Sequence, residues 1–169
     1  MELWQEFLGI LAEKHPNDAR ANLMYAEVLQ SLNRKKEAIE YYKKAVESNT
    51  QEINGWTNLL ILQSELGMTE DLIIYAEKAK TLFPTQPVFF YMYGHALMVN
   101  DQYKDAIRPL KNASNLIFNN SQLAIQVYSS LGDAYHRTEE YSKSDESYQK
   151  ALKLNPRNLY VLNNYSYFL

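Results

Sequence analysis

The chain repeats its own register. Ile53 stands to Trp56, Leu59 and Leu60 as Ala19 stands to Asn22, Tyr25 and Ala26 one period earlier, and a third copy begins at Pro87 with Phe90, Tyr93, Gly94 and Leu97. A fourth runs from Ile125 through Tyr128, Leu131, Gly132 and Tyr135, later by about one helical turn than that period would place it. Within each copy these residues recur at the three-and-four spacing of one helix face. A short polar turn then leads to a second such face: Ala38, Tyr42 and Ala45; Leu72, Ala76 and Ala79; Ala106, Leu110 and Ala113; Ser144, Tyr148 and Ala151. The reading is an all-α chain of antiparallel helix-turn-helix pairs, stacked as one domain.

The units are 19–52, 53–86, 87–120 and 121–158. Residues 1–18 read as the second helix of an incomplete unit, with Leu3, Trp4, Phe7, Leu8 and Leu11 on one side. Residues 159–169 read as the first helix of another, through Leu162, Tyr165 and Leu169. Asp18 is placed to cap the helix that follows it, because its carboxylate accepts from free backbone N–H groups of the first turn. The surplus turn of the fourth unit falls on residues 121–124, which are expected to lengthen the start of its first helix. Pro109, inside a second helix, removes one backbone hydrogen bond and predicts a kink. In the second unit Leu60 and Leu72 replace small residues and Ala76 replaces an aromatic, so that pair is expected to be displaced.

Units of about 34 residues with a small residue in the first helix, Ala-x-x-x-aromatic-x-x-Ala in the second and proline at the join resemble the tetratricopeptide repeat. The resemblance covers nearly the whole chain and implies a right-handed superhelix, an alpha-alpha solenoid whose concave groove is lined by the first helices. The residues it implies for partner contact are Asn54 and Thr57; Val88, Tyr91, His95 and Met98; and Gln126, Ser129, Asp133 and His136. Some members of the family grip the C-terminal carboxylate of heat-shock chaperones with paired basic residues and asparagines. Here only Asn58 matches that pattern, while Leu23, Glu27, Val88 and Met92 occupy the other slots, so that partner is not implied.

The composition narrows the function further. Seventeen basic and 20 acidic side chains are interspersed, for a net charge of -3, and no basic stripe of the kind that supplies nucleic-acid affinity is visible. There is no cysteine, which excludes disulfides and thiolate chemistry. Apolar runs are too short to span a bilayer, and no basic region followed by an apolar block opens the chain. The compartment stays open. No metal-ligand spacing, phosphate loop or nucleophile elbow occurs, and no cofactor, metal or catalytic residue is expected. The sequence therefore predicts a non-catalytic scaffold that binds a protein or peptide in its groove. Its rivals are a targeting or regulatory arm of a larger enzyme or secretion-assembly protein, and a module that self-associates through its end faces. The incomplete units at both ends suggest a piece of a longer stack, with Leu8, Leu11, Tyr165 and Leu169 exposed or covered by a neighbouring copy.

Overall fold

The computed structural model describes residues 2–166, with side chains from residue 3 onward. Among these residues the regular structure is ten α-helices: α1 Glu2–Lys14, α2 Ala19–Ser31, α3 Lys35–Ser48, α4 Ile53–Glu65, α5 Thr69–Leu82, α6 Pro87–Val99, α7 Tyr103–Leu116, α8 Ser121–Arg137, α9 Tyr141–Leu154 and α10 Leu159–Ser166. The chain is an all-α helical-repeat solenoid. It divides into two compact units, Met1–Asp71 and Leu72–Leu169, and the division falls within the first turn of α5.

Local chemistry starts and stops these helices at repeating positions. The Asp18 carboxylate accepts from the backbone N–H groups of Arg20 and Ala21, at 2.9 and 3.0 Å, and so caps α2. Asn120 caps α8 in the same way through Leu123 N–H. At the other end, each first helix of the four pairs is followed by a residue of left-handed backbone: Asn33, Gly67, Asp101 and Glu139, with φ between 58° and 66°. The amide after each one donates back into the helix, as Arg34 does to Leu29 and Gln102 to Leu97. Three of the four positions are not glycine, so the turn is imposed by the hydrogen bonds it closes and not by glycine's freedom.

In the first unit α2 packs on α3 and α4 on α3, around Ala26, Leu29, Ala38, Tyr42, Ala45 and Val46, all fully buried. Asn22 is buried too, and its amide donates to the carbonyls of Pro16 and Asp18 at 2.8 and 2.9 Å. Trp56, at the equivalent place in α4, ties its indole N–H to the Thr50 carbonyl at 3.0 Å. The fourth residue of a first helix thus anchors the turn before it. Leu8 is 1% exposed, which corrects the expectation that it stands on an open face. α1 packs against α2, while Leu3, Trp4, Phe7 and Ile10 are exposed. Leu11 is half-buried.

In the second unit α6, α7, α8 and α9 pack in antiparallel succession, and α10 lies against α8 and α9. The crossings need small residues. A methyl group added at Gly94 would stand 2.7 Å from Leu110 Cγ, and one added at Gly132 would stand 2.7–2.8 Å from the Tyr148 ring. Ser144 adds a polar link at the second crossing, its hydroxyl donating to the Gly132 carbonyl at 2.8 Å. The four surplus residues do extend the start of α8, which has 17 residues where α2, α4 and α6 have 13. α7 runs through the buried Pro109 to Leu116 as one helix, with the Asp105 carbonyl deprived of its helical N–H partner. Tyr165 is half-buried against Ile125, Tyr148, Ala151 and Val161, so it too is not an open-face residue. Leu169 lies outside the described residues.

Candidate functional site

A cleft of about 670 Å³ opens in the second unit between α6, α8 and α10, with the first turn of α7 at its side. The helical register explains why it draws on these residues. His95 and Met98 lie one turn apart on α6, as Asp133 and His136 do on α8, so each helix presents two neighbouring side chains along the same wall. All four line the cleft and are half-buried. Four of the ten residues singled out by sequence thus come together here.

The others lie elsewhere. Tyr91 and Val88 are half-buried and pack against the cluster built on Leu97, Leu110 and Val127. Tyr91 nonetheless supports the site, because its ring lies 5.9 Å from that of His95, a cleft residue. Ser129 is 2% exposed, and its hydroxyl has no hydrogen-bond partner among the described residues. It is an interior residue, the correction being one of register: the next residue, Ser130, lines the cleft. Gln126 is exposed on α8 outside the cleft lining. Asn54 and Thr57 lie on α4 in the first unit, where the Thr57 hydroxyl donates to the Ile53 carbonyl of its own helix at 2.9 Å.

Tyr103, Arg137, Tyr160 and Asn164 complete the cleft and were not legible as site residues. One signal was available. Tyr148 and Asn164 have the same separation along the chain as Tyr42 and Asn58. In the first unit the Asn58 amide donates to the Tyr42 hydroxyl at 3.2 Å, and that hydroxyl donates to Gln30 at 2.7 Å. In the second unit the same pair converges on an acid: the Tyr148 hydroxyl and the Asn164 amide both donate to Asp133 Oδ1. A tyrosine on a second helix thus meets an asparagine on the following first helix, and a polar side chain of the first helix before it completes the group.

The electrostatics follow from burial. Desolvation pushes the Asp133 carboxyl above the usual aspartate range, against the hydrogen bonds from Tyr148, Asn164 and Tyr160 and the field of Arg137, which pull it down. Burial and the neighbouring carboxylate drive the Tyr148 phenol far upward. Tyr42 is pushed up to about 12, again mainly by burial. Burial lowers His95, so its ring is neutral at pH 7. The Arg137 guanidinium rests over the Tyr103 ring at 5.2 Å, and the Tyr103 hydroxyl donates to Asp101 at 2.6 Å. Among the described residues no group of three or more His, Asp or Glu side chains could hold a metal ion, and no helix is long and apolar enough to cross a membrane.

Paired helices closed by a repeated turn, with a polar and aromatic cleft on their first-helix side, define a helical-repeat protein of the interaction-scaffold class. Residues 19–52 and 125–158 each match the sequence profile of the tetratricopeptide repeat. No curated protein matches the chain in sequence. Solved structures do match in fold. MamA from Desulfovibrio magneticus RS-1, from residue 41 onward, is 16% identical with a TM-score of 0.74, over 94% of this chain and 87% of that one. TTC0263 of Thermus thermophilus, a thermophilic protein of this repeat class, is 18% identical with a TM-score of 0.66, over 97% and 88%. YrrB, described as having an unusual peptide-binding site, is 20% identical with a TM-score of 0.56, over 94% and 97%. The chain thus carries tetratricopeptide repeats at residues 19–52 and 125–158, and the solved structures share its helical-repeat fold.

Proposed function

We propose that the chain is a non-catalytic scaffold that holds a segment of a partner protein in the cleft between α6, α8 and α10. The observation that carries this reading is the cleft itself. Its volume of about 670 Å³ lies in the range of sites that enclose several side chains or a small ligand. Its walls combine Met98 and Val99 with the rings of Tyr103, His136 and Tyr160, which offer large contact area at low entropic cost. The polar groups are engaged in holding the fold and not in poising a reaction. Asp133 is held by three donors of its own chain, and no carboxylate among the described contacts orients His95. The peptide-binding site described for YrrB, a fold relative, supports the same use of this architecture.

The test is capture of partners by the immobilised chain. Replacing both His136 and Tyr160 by alanine removes two walls of the cleft and leaves the fully buried residues in place, so capture should fall about tenfold or more with the helical circular dichroism unchanged. Undiminished capture of every partner by that variant would remove the cleft from the function.

A further inference from the structure

Resting on the peptide-binding reading above, we propose that the cleft receives a basic side chain of the partner segment, a lysine or an arginine, with its cation between the Asp133 carboxylate and the rings of Tyr103 and Tyr160. The two oxygens of Asp133 are unequally engaged. Oδ1 takes the Tyr148 hydroxyl and the Asn164 amide, the latter at 3.1 Å. Oδ2 has only long contacts, 3.4 Å from the Asn164 amide and 3.5 Å from the Tyr160 hydroxyl. An ionised carboxylate offers about four acceptor positions, and contacts near 3.5 Å lie at the weak limit of hydrogen bonding. Asp133 therefore retains acceptor capacity in a wall of the cleft. Its upward-shifted carboxyl agrees, being that of an acid whose charge is only partly compensated.

The walls suit a cation as well. The Tyr103 ring already carries the Arg137 guanidinium at 5.2 Å, so the chain itself places a positive group on this surface. No ion pair between Arg137 and Asp133 is among the described contacts, and Arg137 acts on the acid only through space. The balance of charge favours a basic occupant. Asp133 in the lining and Asp101 at the Tyr103 hydroxyl oppose Arg137, the cation of the lining, and His95 is neutral. An acidic segment drawn to Arg137 would be brought against both carboxylates.

Three degenerate peptide libraries, identical except for a fixed central lysine, glutamate or glutamine, are titrated against the full chain, with binding read by fluorescence anisotropy. The lysine library should bind about tenfold more tightly than the glutamine library, the step expected of one charge-assisted hydrogen bond, and the glutamate library should bind most weakly. Asp133→Asn should erase the lysine preference, bringing the lysine and glutamine libraries to the same affinity. Arg137→Gln, at an exposed side chain, should strengthen lysine binding, and it carries the test of sign alone if Asp133→Asn does not fold. Equal binding of the three libraries, or a preference for glutamate, overturns the basic occupant and leaves the peptide-binding reading standing. Binding of none overturns both.

Discussion

At Gly132 the interior of the second unit allows no methyl group. The Tyr148 ring would stand 2.7–2.8 Å from it, and the ring has little freedom to retreat, since it is fully buried and its hydroxyl is held by Asp133. Gly132→Ala gains helix propensity of about 1 kcal/mol, but overpacking costs about 1–3 kcal/mol. The second effect wins where the obstructing group is anchored. Urea denaturation should show a net loss of stability, and a variant as stable as the parent would mean that Tyr148 moves freely. The small residue and the tyrosine were both legible as packing residues from their spacing. That Tyr148 also holds an acid was not, because its partner sits on the preceding helix and nothing in a local pattern marks it.

The helices show which local signals suffice. Caps, turn residues and period fix their ends well: Asp18 and the surplus turn before Ile125 both act where the sequence places them. Pro109 is harder to read, because its cost to the helix competes with the packing of its ring. Proline in a helix interior costs about 3 kcal/mol relative to alanine. Replacing its buried ring by a methyl group forfeits about 0.8 kcal/mol for each of two methylenes. Pro109→Ala should therefore stabilise α7 by roughly 1 kcal/mol, visible as a higher denaturation midpoint with an unchanged slope. A lower midpoint would show that the ring's packing outweighs the lost hydrogen bond. The element hardest to foresee as part of the site was α10, whose Tyr160 and Asn164 reach the cleft. A pattern of apolar spacing reports which face is buried and is silent about where polar side chains converge.

For the molecule as a whole, two half-buried groups of the cleft bend the pH dependence of stability in opposite directions. His95 has a lowered folded pKa, so between that value and its ordinary 6.5 the unfolded chain binds more protons. Its contribution is full above pH 6.5 and is lost as pH falls through the folded value. Asp133 has a raised folded pKa, so between its ordinary 3.8 and that value the folded chain binds more protons. Its contribution is full below pH 3.8 and is lost as pH rises through the folded value. Denaturation midpoints measured across the mildly acidic to neutral range should fall less steeply on acidification in His95→Gln than in the parent. Identical profiles would show that His95 is solvated when folded. None of this follows from a histidine and an aspartate seen in sequence, since the shifts come from helices packed far apart along the chain.

The recurring step from tyrosine to asparagine bears on how such a chain can be rearranged. The two pairs that make it, Tyr42 with Asn58 and Tyr148 with Asn164 through Asp133, each tie one repeat to the first helix of the next. The corresponding second-helix positions between them hold Ala76 and Leu110, which make no such demand. Each tyrosine hydroxyl has an acceptor in its own repeat, Gln30 or Asp133, and the asparagine of the following repeat adds a hydrogen bond across the join, worth about 1 kcal/mol, that a successor without it would forfeit. Repeats of this chain are therefore not interchangeable bricks. Exchanges, insertions and grafts should be tolerated best at the apolar joins, and each polar join should travel only as a matched pair.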